Sequence, residues 1–183
     1  MDEWGRTYPV GLESFGDYKL IGYPLILSSL FQAIALADFS DLYVRLPSIL
    51  AGSLLIPLAY IFSLRNGVSK KWSILFAFFI ATTPIFIFYS RFAYEANVAL
   101  TLFVSAYLLL IQKSHHAHTR IILQTLGLLL FYFSLCMYNT PLLLAPTLLL
   151  LVFSNDRGKN VRSKLLPLLG VVCVTLFFIL QTQ

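Results

Sequence analysis

Apolar residues in this chain form long runs, and polar residues are confined to short gaps between them. The runs approach the roughly 20 residues that a helix needs to cross ~30 Å of hydrocarbon. They therefore predict a series of membrane-associated helices. The runs are residues 20–37, 46–64, 72–89, 96–111, 121–137, 141–153 and 165–180.

Composition agrees with a membrane-embedded chain. It is 58% hydrophobic and 11% charged, with a mean hydropathy of +0.81, whereas a soluble domain carries about twice that share of charge. The pattern is that of a polytopic protein and not of a secreted one with a signal peptide. We expect a single all-α transmembrane domain over 1–183. It would comprise an outer loop at 1–19, a juxtamembrane helix at 20–37 and about six transmembrane helices within 42–183.

The charged residues alternate in sign from gap to gap. Nine of the 13 Lys and Arg fall in three gaps that hold a single acid, Asp156, and seven of the eight acids fall in the other three. Because Lys and Arg concentrate in cytoplasmic loops, the basic gaps are predicted to be cytoplasmic and the acidic gaps extracytoplasmic. The net charge of +5 then reflects membrane orientation and not a nucleic-acid partner. The basic gaps are 65–71, 113–120 and 156–164; the acidic gaps are 1–19, 38–45 and 91–95.

This alternation of charge sign, which we call charge parity, predicts the direction in which each run crosses the membrane. Basic gaps flank both ends of 121–153, so two helices are expected there, separated at Asn139-Thr140-Pro141, where Pro141 cannot continue a helix. The run 20–37 has acidic flanks on both sides, so an interfacial or re-entrant helix is expected. A true span is the alternative, and it would put Asp17 and Glu95 on opposite sides of the membrane.

Two polar clusters are predicted at the outer face, at residues 13–19 and 89–97. Arg91 and Glu95 are four residues apart, so on a continuous helix they would share one face. A cation at the membrane edge could neutralise a lipid phosphate, and a carboxylate could accept a proton from an attacking hydroxyl. The alternative, which spacing alone favours, is that the two side chains pair with each other at the headgroups.

Four segments carry a resemblance to a known family. They are Trp4-Gly5-Arg6-Thr7-Tyr8-Pro9 with Glu13-Ser14-Phe15-Gly16-Asp17-Tyr18-Lys19, then residues 44–52, residues 89–97 and Tyr138-Asn139-Thr140-Pro141. In this order, over about residues 2–153, they resemble bacterial family 39-like glycosyltransferases. These belong to the integral-membrane C superfamily, with protein O-mannosyltransferases and lipid A aminoarabinose transferases.

The resemblance implies a multi-pass enzyme of the bacterial plasma membrane and cell envelope. It would transfer a sugar from a polyprenyl-phosphate donor to an acceptor lipid, glycan or protein on the outer side. Catalytic acids of the two outer loops would be among Asp2, Glu3, Asp17 and Glu95. The donor phosphate would contact Lys19, Arg91 and Tyr89. The resemblance implies no organic cofactor and leaves a divalent metal undecided.

The chain departs from this family pattern at its start. Relatives begin with a transmembrane helix that ends in an acidic pair. Asp2-Glu3 is one candidate for that pair, but it directly precedes Trp4, which favours a base that lies in a missing helix. Relatives also continue beyond seven spans, so the chain is expected to be the N-terminal part of a longer enzyme that need not be active alone.

Two other classes stay open. A transporter segment would carry ionisable residues at mid-membrane, and the apolar runs contain none. A non-catalytic membrane subunit or fragment is compatible with the sequence. The His115, His116 and His118 cluster is expected to be a solvated loop and not a metal site, because no carboxylates accompany it. Cys136 and Cys173 lie in apolar runs, which predicts neither a disulfide nor a thiolate metal site.

Overall fold

The computed structural model describes residues 11–14, 17–20, 22–34, 41–91, 95–112, 117–138, 140–154 and 161–181. Within these ranges the chain is all-helical apart from one short β-hairpin. The elements are β1 (Gly11–Ser14), β2 (Asp17–Leu20), α1 (Gly22–Ile34), α2 (Asp41–Arg65), α3 (Lys70–Thr82), α4 (Pro84–Arg91), α5 (Glu95–Leu110), α6 (Ala117–Met137), α7 (Thr140–Ser154) and α8 (Val161–Gln181).

Every apolar run contains a helix, as predicted. The hairpin was not predicted, because residues 1–19 were expected to form a loop. β1 and β2 pair antiparallel, with Leu12 opposite Lys19 and Ser14 opposite Asp17. Only residues 15 and 16 link the two strands, the length of the shortest hairpin connection. Since α1 begins two residues after β2 ends, the hairpin leads directly into the juxtamembrane helix.

Helix length confirms part of the predicted membrane topology. Among the described residues, Tyr43–Arg65 and His118–Met137 are long and apolar enough to cross a membrane, and α3 with α4 makes a third span if the two count together. Shorter apolar helices among the described residues are Glu95–Leu110, Thr140–Leu150 and Pro167–Leu180. Sixteen residues in α5 extend only about 24 Å, less than the ~30 Å hydrocarbon core. The total of six spans therefore stays a prediction.

Pro84 was expected to kink the helix of the run 72–89, and the structure places a break there. α3 and α4 meet at an angle of 52°. Thr83 between them is extended, with φ −67° and ψ 121°, because the ring of Pro84 disfavours helical geometry in the residue before it. Pro84 also lacks the N–H that would continue the ladder. The Thr83 hydroxyl donates to the Phe79 carbonyl at 2.6 Å and covers the end of α3.

The turn between α2 and α3 is a tight one, centred on Gly67. Its φ of +84° lies in the left-handed region that glycine adopts without steric cost. The Val68 N–H donates to the Ser63 carbonyl and the Gly67 N–H to the Leu64 carbonyl, both at 3.1 Å, which is a Schellman cap. The Tyr107 hydroxyl of α5 donates to the side-chain oxygen of Asn66 at 2.7 Å. The C-termini of α2 and α5 therefore lie at the same end of the bundle.

α5 is the central helix of the bundle. Half of its residues are buried, and it packs against α6, α2 and α7. The C-terminal half of α5 joins the larger core, which includes Phe103, Tyr107, Phe131, Leu148 and Phe178 from α5 to α8. Its first turns join a second core, made of Tyr23, Ala51, Val98, Ala99 and Met137. This second core lies where the polar clusters were expected.

Large apolar side chains cover the outside of the bundle. On α3, Trp72, Phe78 and Phe79 are each more than 60% exposed, while Ser73 and Ala77 are the buried residues of that helix. A soluble protein rarely exposes a contiguous apolar surface of this kind. Such a helix is stable when its outer face contacts lipid, so the packing agrees with the composition.

Candidate functional site at one end of the bundle

Helix termini within the described residues converge at one end of the bundle, which we call the outer end. They include the N-termini of α1, α2, α5 and α7 and the C-termini of α4 and α6. Charge parity predicts every one of these termini to be extracytoplasmic.

Tyr23 connects the juxtamembrane helix to α2. Its hydroxyl donates to the Val44 carbonyl at 2.9 Å and lies 2.9 Å from the Ser48 hydroxyl, and the side chain is only 5% exposed. Burial raises the pKa of Tyr23; the hydrogen bond to Ser48 acts against this, and the nearby Glu95 carboxylate adds to it. The phenol therefore stays neutral, and Glu95 at the start of α5 lies within electrostatic range of α1 and α2.

Gly22 lets α1 approach the end of α6. A Cβ added at Gly22 would lie 2.5 Å from the Cys136 carbonyl oxygen and 2.8 Å from its carbon. Those atoms belong to the backbone of α6 and cannot move aside as a flexible side chain could. No residue larger than glycine fits this contact without a shift of one helix.

Replacement of Gly22 by alanine should therefore destabilise the protein by about 1–3 kcal/mol, the usual cost of overpacking. The matched control is Ser28→Ala on the exposed face of the same helix, where the hydroxyl bonds only to the Leu25 carbonyl. Thermal unfolding in detergent should show a lower Tm for Gly22→Ala and a nearly unchanged one for Ser28→Ala. Equal Tm values for the two variants would contradict the packing of α1 on α6.

A second close approach brings α2, α4 and α5 together. A Cβ at Gly52 would lie 2.8 Å from the Ser90 Cβ and 3.3 Å from the Asn97 side-chain nitrogen. Asn97 is only 1% exposed, and this nitrogen donates to the Phe86 carbonyl of α4 at 3.2 Å. One turn further along, the Thr101 hydroxyl donates to the Ala51 carbonyl at 2.9 Å. Asn97 therefore fixes α4 against the start of α5.

Two arginines from different helices line one open cleft of about 470 Å³, which we call the arginine cleft. Arg45 comes from the second turn of α2 and Arg91 is the last residue of α4. The rest of the lining is apolar: Pro84, Ile87 and Phe88. A guanidinium binds phosphate through a rigid fork of N–H donors, and the apolar residues beside it suit a hydrocarbon chain. The cleft therefore combines the two features of a lipid phosphate site.

The opposite face of α4 borders a partly open space of about 240 Å³, which we call the tyrosine cavity. Tyr89 and Tyr138 supply aromatic rings and hydroxyls, and Asn97 and Thr140 add an amide and a hydroxyl. The remaining lining residues, all in the described part of the chain, are uncharged and mostly apolar: Phe86, Ala96, Ala99, Leu100, Phe103, Pro141 and Leu144.

Glu95 is half-buried in the first turn of α5. Negative charge is favourable there, because the helix dipole places partial positive charge at the N-terminus. The expected helix-face pairing with Arg91 does not occur: α4 ends at Arg91 and α5 begins anew at Glu95, and no ion pair joins the two among the described residues.

The other predicted site residues are placed less fully. Asp17 and Lys19 lie in β2, three to five residues before Gly22, so chain connectivity keeps them within reach of the outer end. Asp2 and Glu3 lie outside the described residues, as do His115 and His116. His118 is exposed near the start of α6. Tyr89 lines the tyrosine cavity and not the arginine cleft, so the structure separates it from Arg91.

Sequence reasoning did not single out Arg45, Asn97 and Tyr138 as site residues. Arg45 is the lone base in an acidic gap, directly before Leu46-Pro47. A single cation among acids could have marked it as a candidate site residue. Asn97 is an isolated amide at the start of an apolar helix. Tyr138 precedes the break between α6 and α7 and carries no helical geometry itself. All three depend on which helices pack together, and hydropathy does not contain that information.

The fold and the site define a helical membrane protein with a polar, cation-bearing site at the ends of its helices. The chain belongs to the dolichyl-phosphate-mannose-protein mannosyltransferase family, whose sequence model matches residues 24–180. The family comprises membrane glycosyltransferases that use a lipid-linked sugar, so the suspected family is confirmed; the motif segment at residues 4–19 lies outside the matched range. No curated protein and no solved structure matches the chain.

Proposed function

We propose that the chain forms the donor-binding part of an enzyme that transfers a sugar from a polyprenyl phosphate to an acceptor. The reaction would take place at the extracytoplasmic face of the bacterial plasma membrane. The observation that carries the proposal is the arginine cleft, where Arg45 and Arg91 meet beside apolar residues at the outer end. Family membership supports the reaction class.

The donor phosphate is assigned to Arg91 and Arg45, with Lys19 as a third cation delivered by the hairpin. In glycosyl transfer the lipid phosphate is the leaving group, and negative charge develops on it as the sugar–oxygen bond breaks. Cations arranged before the reaction stabilise that charge most where water is scarce. The apolar side of the cleft, Pro84, Ile87 and Phe88, suits the first units of the prenyl chain.

The general base is assigned to the carboxylates of the two outer segments. Glu95 is the one whose environment the structure describes, and Asp17, Asp2 and Glu3 remain proposals from the resemblance. An acceptor hydroxyl attacks the anomeric carbon, and the base removes its proton as the lipid phosphate leaves. Glu95 begins α5 and lies within electrostatic range of Tyr23 on the juxtamembrane helix, so its carboxylate lies at the outer end of the bundle.

A non-catalytic subunit is the second candidate function. It would retain the donor site without the base, so donor binding and transfer would separate. The test is an assay of sugar transfer from a radiolabelled polyprenyl-phosphate sugar in membranes that contain the protein. The proposal expects transfer that depends on the lipid phosphate donor. Donor binding without transfer would favour the subunit, and neither binding nor transfer would refute both.

A further inference from the structure

We propose that the tyrosine cavity is the acceptor site, and that it takes a neutral, hydroxyl-bearing group the size of one sugar ring. This inference deepens the proposed function and rests on it. It assigns to Tyr89, Tyr138 and Asn97 the binding of the second substrate.

Position separates the two ligands. Pro84, Ile87, Phe88 and Arg91 follow the helical spacing of one face of α4 and line the arginine cleft, whereas Phe86 and Tyr89 lie on the opposite face and line the cavity. A helix with its side chains is about 10–12 Å across. The anomeric carbon and the phosphorus of a donor are joined through one oxygen, so one donor headgroup cannot fill both spaces. The cavity therefore holds a different molecule, and a transferase needs one.

The lining selects a neutral polyol. No cation borders the cavity among its described lining residues, so a phosphorylated group would lose its hydration without a counter-charge. The polar groups are an amide and hydroxyls, which donate and accept hydrogen bonds and match alcohol groups. Tyrosine rings add flat apolar surface with a polar edge, which suits the C–H face of a sugar ring. Asn97 lines the cavity with a side chain that is only 1% exposed and that is fixed by its hydrogen bond to the Phe86 carbonyl.

Size limits the ligand to one ring. The cavity of about 240 Å³ lies just below the ~300–1,000 Å³ of pockets for drug-sized molecules. Asn97 also holds α4 through the Phe86 carbonyl. Since α4 lies between the cavity and the arginine cleft, this hydrogen bond fixes the distance between the two spaces. The C-terminal end of α4, next to Glu95, is then the point where an acceptor hydroxyl and a donor sugar could meet.

The experiment measures two ligands separately in the full protein, reconstituted in lipid nanodiscs. Methyl glycosides are detected by saturation-transfer NMR, and bare polyprenyl phosphate by equilibrium binding. Ala96→Leu adds bulk to the cavity lining, and Ala81→Leu on α3, which lines neither space, is the matched control. Tyr138→Phe removes one hydroxyl and keeps the ring.

We expect Ala96→Leu to weaken methyl glycoside binding at least tenfold, Tyr138→Phe to weaken it less, and all three variants to bind polyprenyl phosphate as the wild type does. Arg91→Ala should give the reverse pattern. Absence of glycoside binding in the wild type, equal binding in Ala96→Leu, competition between the two ligands, or preference for a serine peptide over every glycoside would each overturn the acceptor assignment. Wild-type protein that binds no polyprenyl phosphate would instead refute the proposed donor function.

Discussion

Replacement of Glu95 by glutamine should lower the rate of sugar transfer by about 10²- to 10⁴-fold, the usual contribution of a general base. Glutamine keeps the size and polarity of the side chain but cannot take a proton. The affinity for the polyprenyl-phosphate donor should change little, because the carboxylate is not assigned to the phosphate. A fall in kcat with little change in KM is the signature of a group that acts only in the transition state.

A purely structural role for Glu95 would have a smaller effect. Its favourable interaction with the N-terminus of α5 is worth about 0.3–1 kcal/mol, whereas a 10²- to 10⁴-fold loss corresponds to about 2.7–5.4 kcal/mol in activation free energy. Asp41→Asn is the matched control, since Asp41 is also an acid in the first turn of a helix at the outer end. Equal losses in both variants, or unchanged transfer in Glu95→Gln, would remove Glu95 from the catalytic site.

Loss of the Arg91 guanidinium should weaken donor binding by about 10- to 150-fold. Hydrogen bonds to charged groups contribute about 1.5–3 kcal/mol, and each 1.4 kcal/mol is a factor of ten in Kd. Arg91→Lys should recover part of the loss, because lysine restores the charge but not the two-pronged geometry. Binding of polyprenyl phosphate to purified protein in nanodiscs, at fixed salt, measures both variants.

Arg65→Ala is the control for Arg91→Ala. Both arginines are exposed in the last turn of their helices, but Arg65 ends α2 at the opposite end of the bundle. The Arg65 variant should bind the donor as the wild type does. If both substitutions weaken binding equally, the lipid phosphate responds to overall charge and the arginine cleft is not its site. Arg45→Ala should resemble Arg91→Ala, since both side chains line that cleft.

Hydropathy predicted where the helices lie, because burial in lipid depends on composition alone. The observed α5, Glu95–Leu110, differs by one residue at each end from the predicted 96–111. α2 begins at Asp41, earlier than the apolar run from residue 46, since a helix can extend beyond the hydrocarbon with a polar first turn. That extension brings Arg45 into a helix and fixes its position relative to Arg91, which the run boundaries did not indicate.

Features that depend on contacts between helices were not predictable in the same way. Pro84 was expected to kink its helix, but a proline in a membrane helix does not by itself give the size of the bend. Gly22 and Gly52 have their effect only through the backbone and side chains that approach them. The two cavities on opposite faces of α4 arise from the packing of at least four helices. Charge parity predicted that the polar segments share one end of the bundle but did not show the two compartments on either side of α4.

Labelling of single cysteines tests the shared placement of the two polar segments most directly. Asp17→Cys and Glu95→Cys, made with Cys136 and Cys173 replaced by serine, would be treated in intact cells with a membrane-impermeant maleimide. Ser69→Cys, exposed in the turn between α2 and α3, serves as the predicted cytoplasmic control. Positions 17 and 95 should react from outside, while position 69 should react only after the cells are opened. Reaction of positions 17 and 95 from opposite sides would contradict their shared placement.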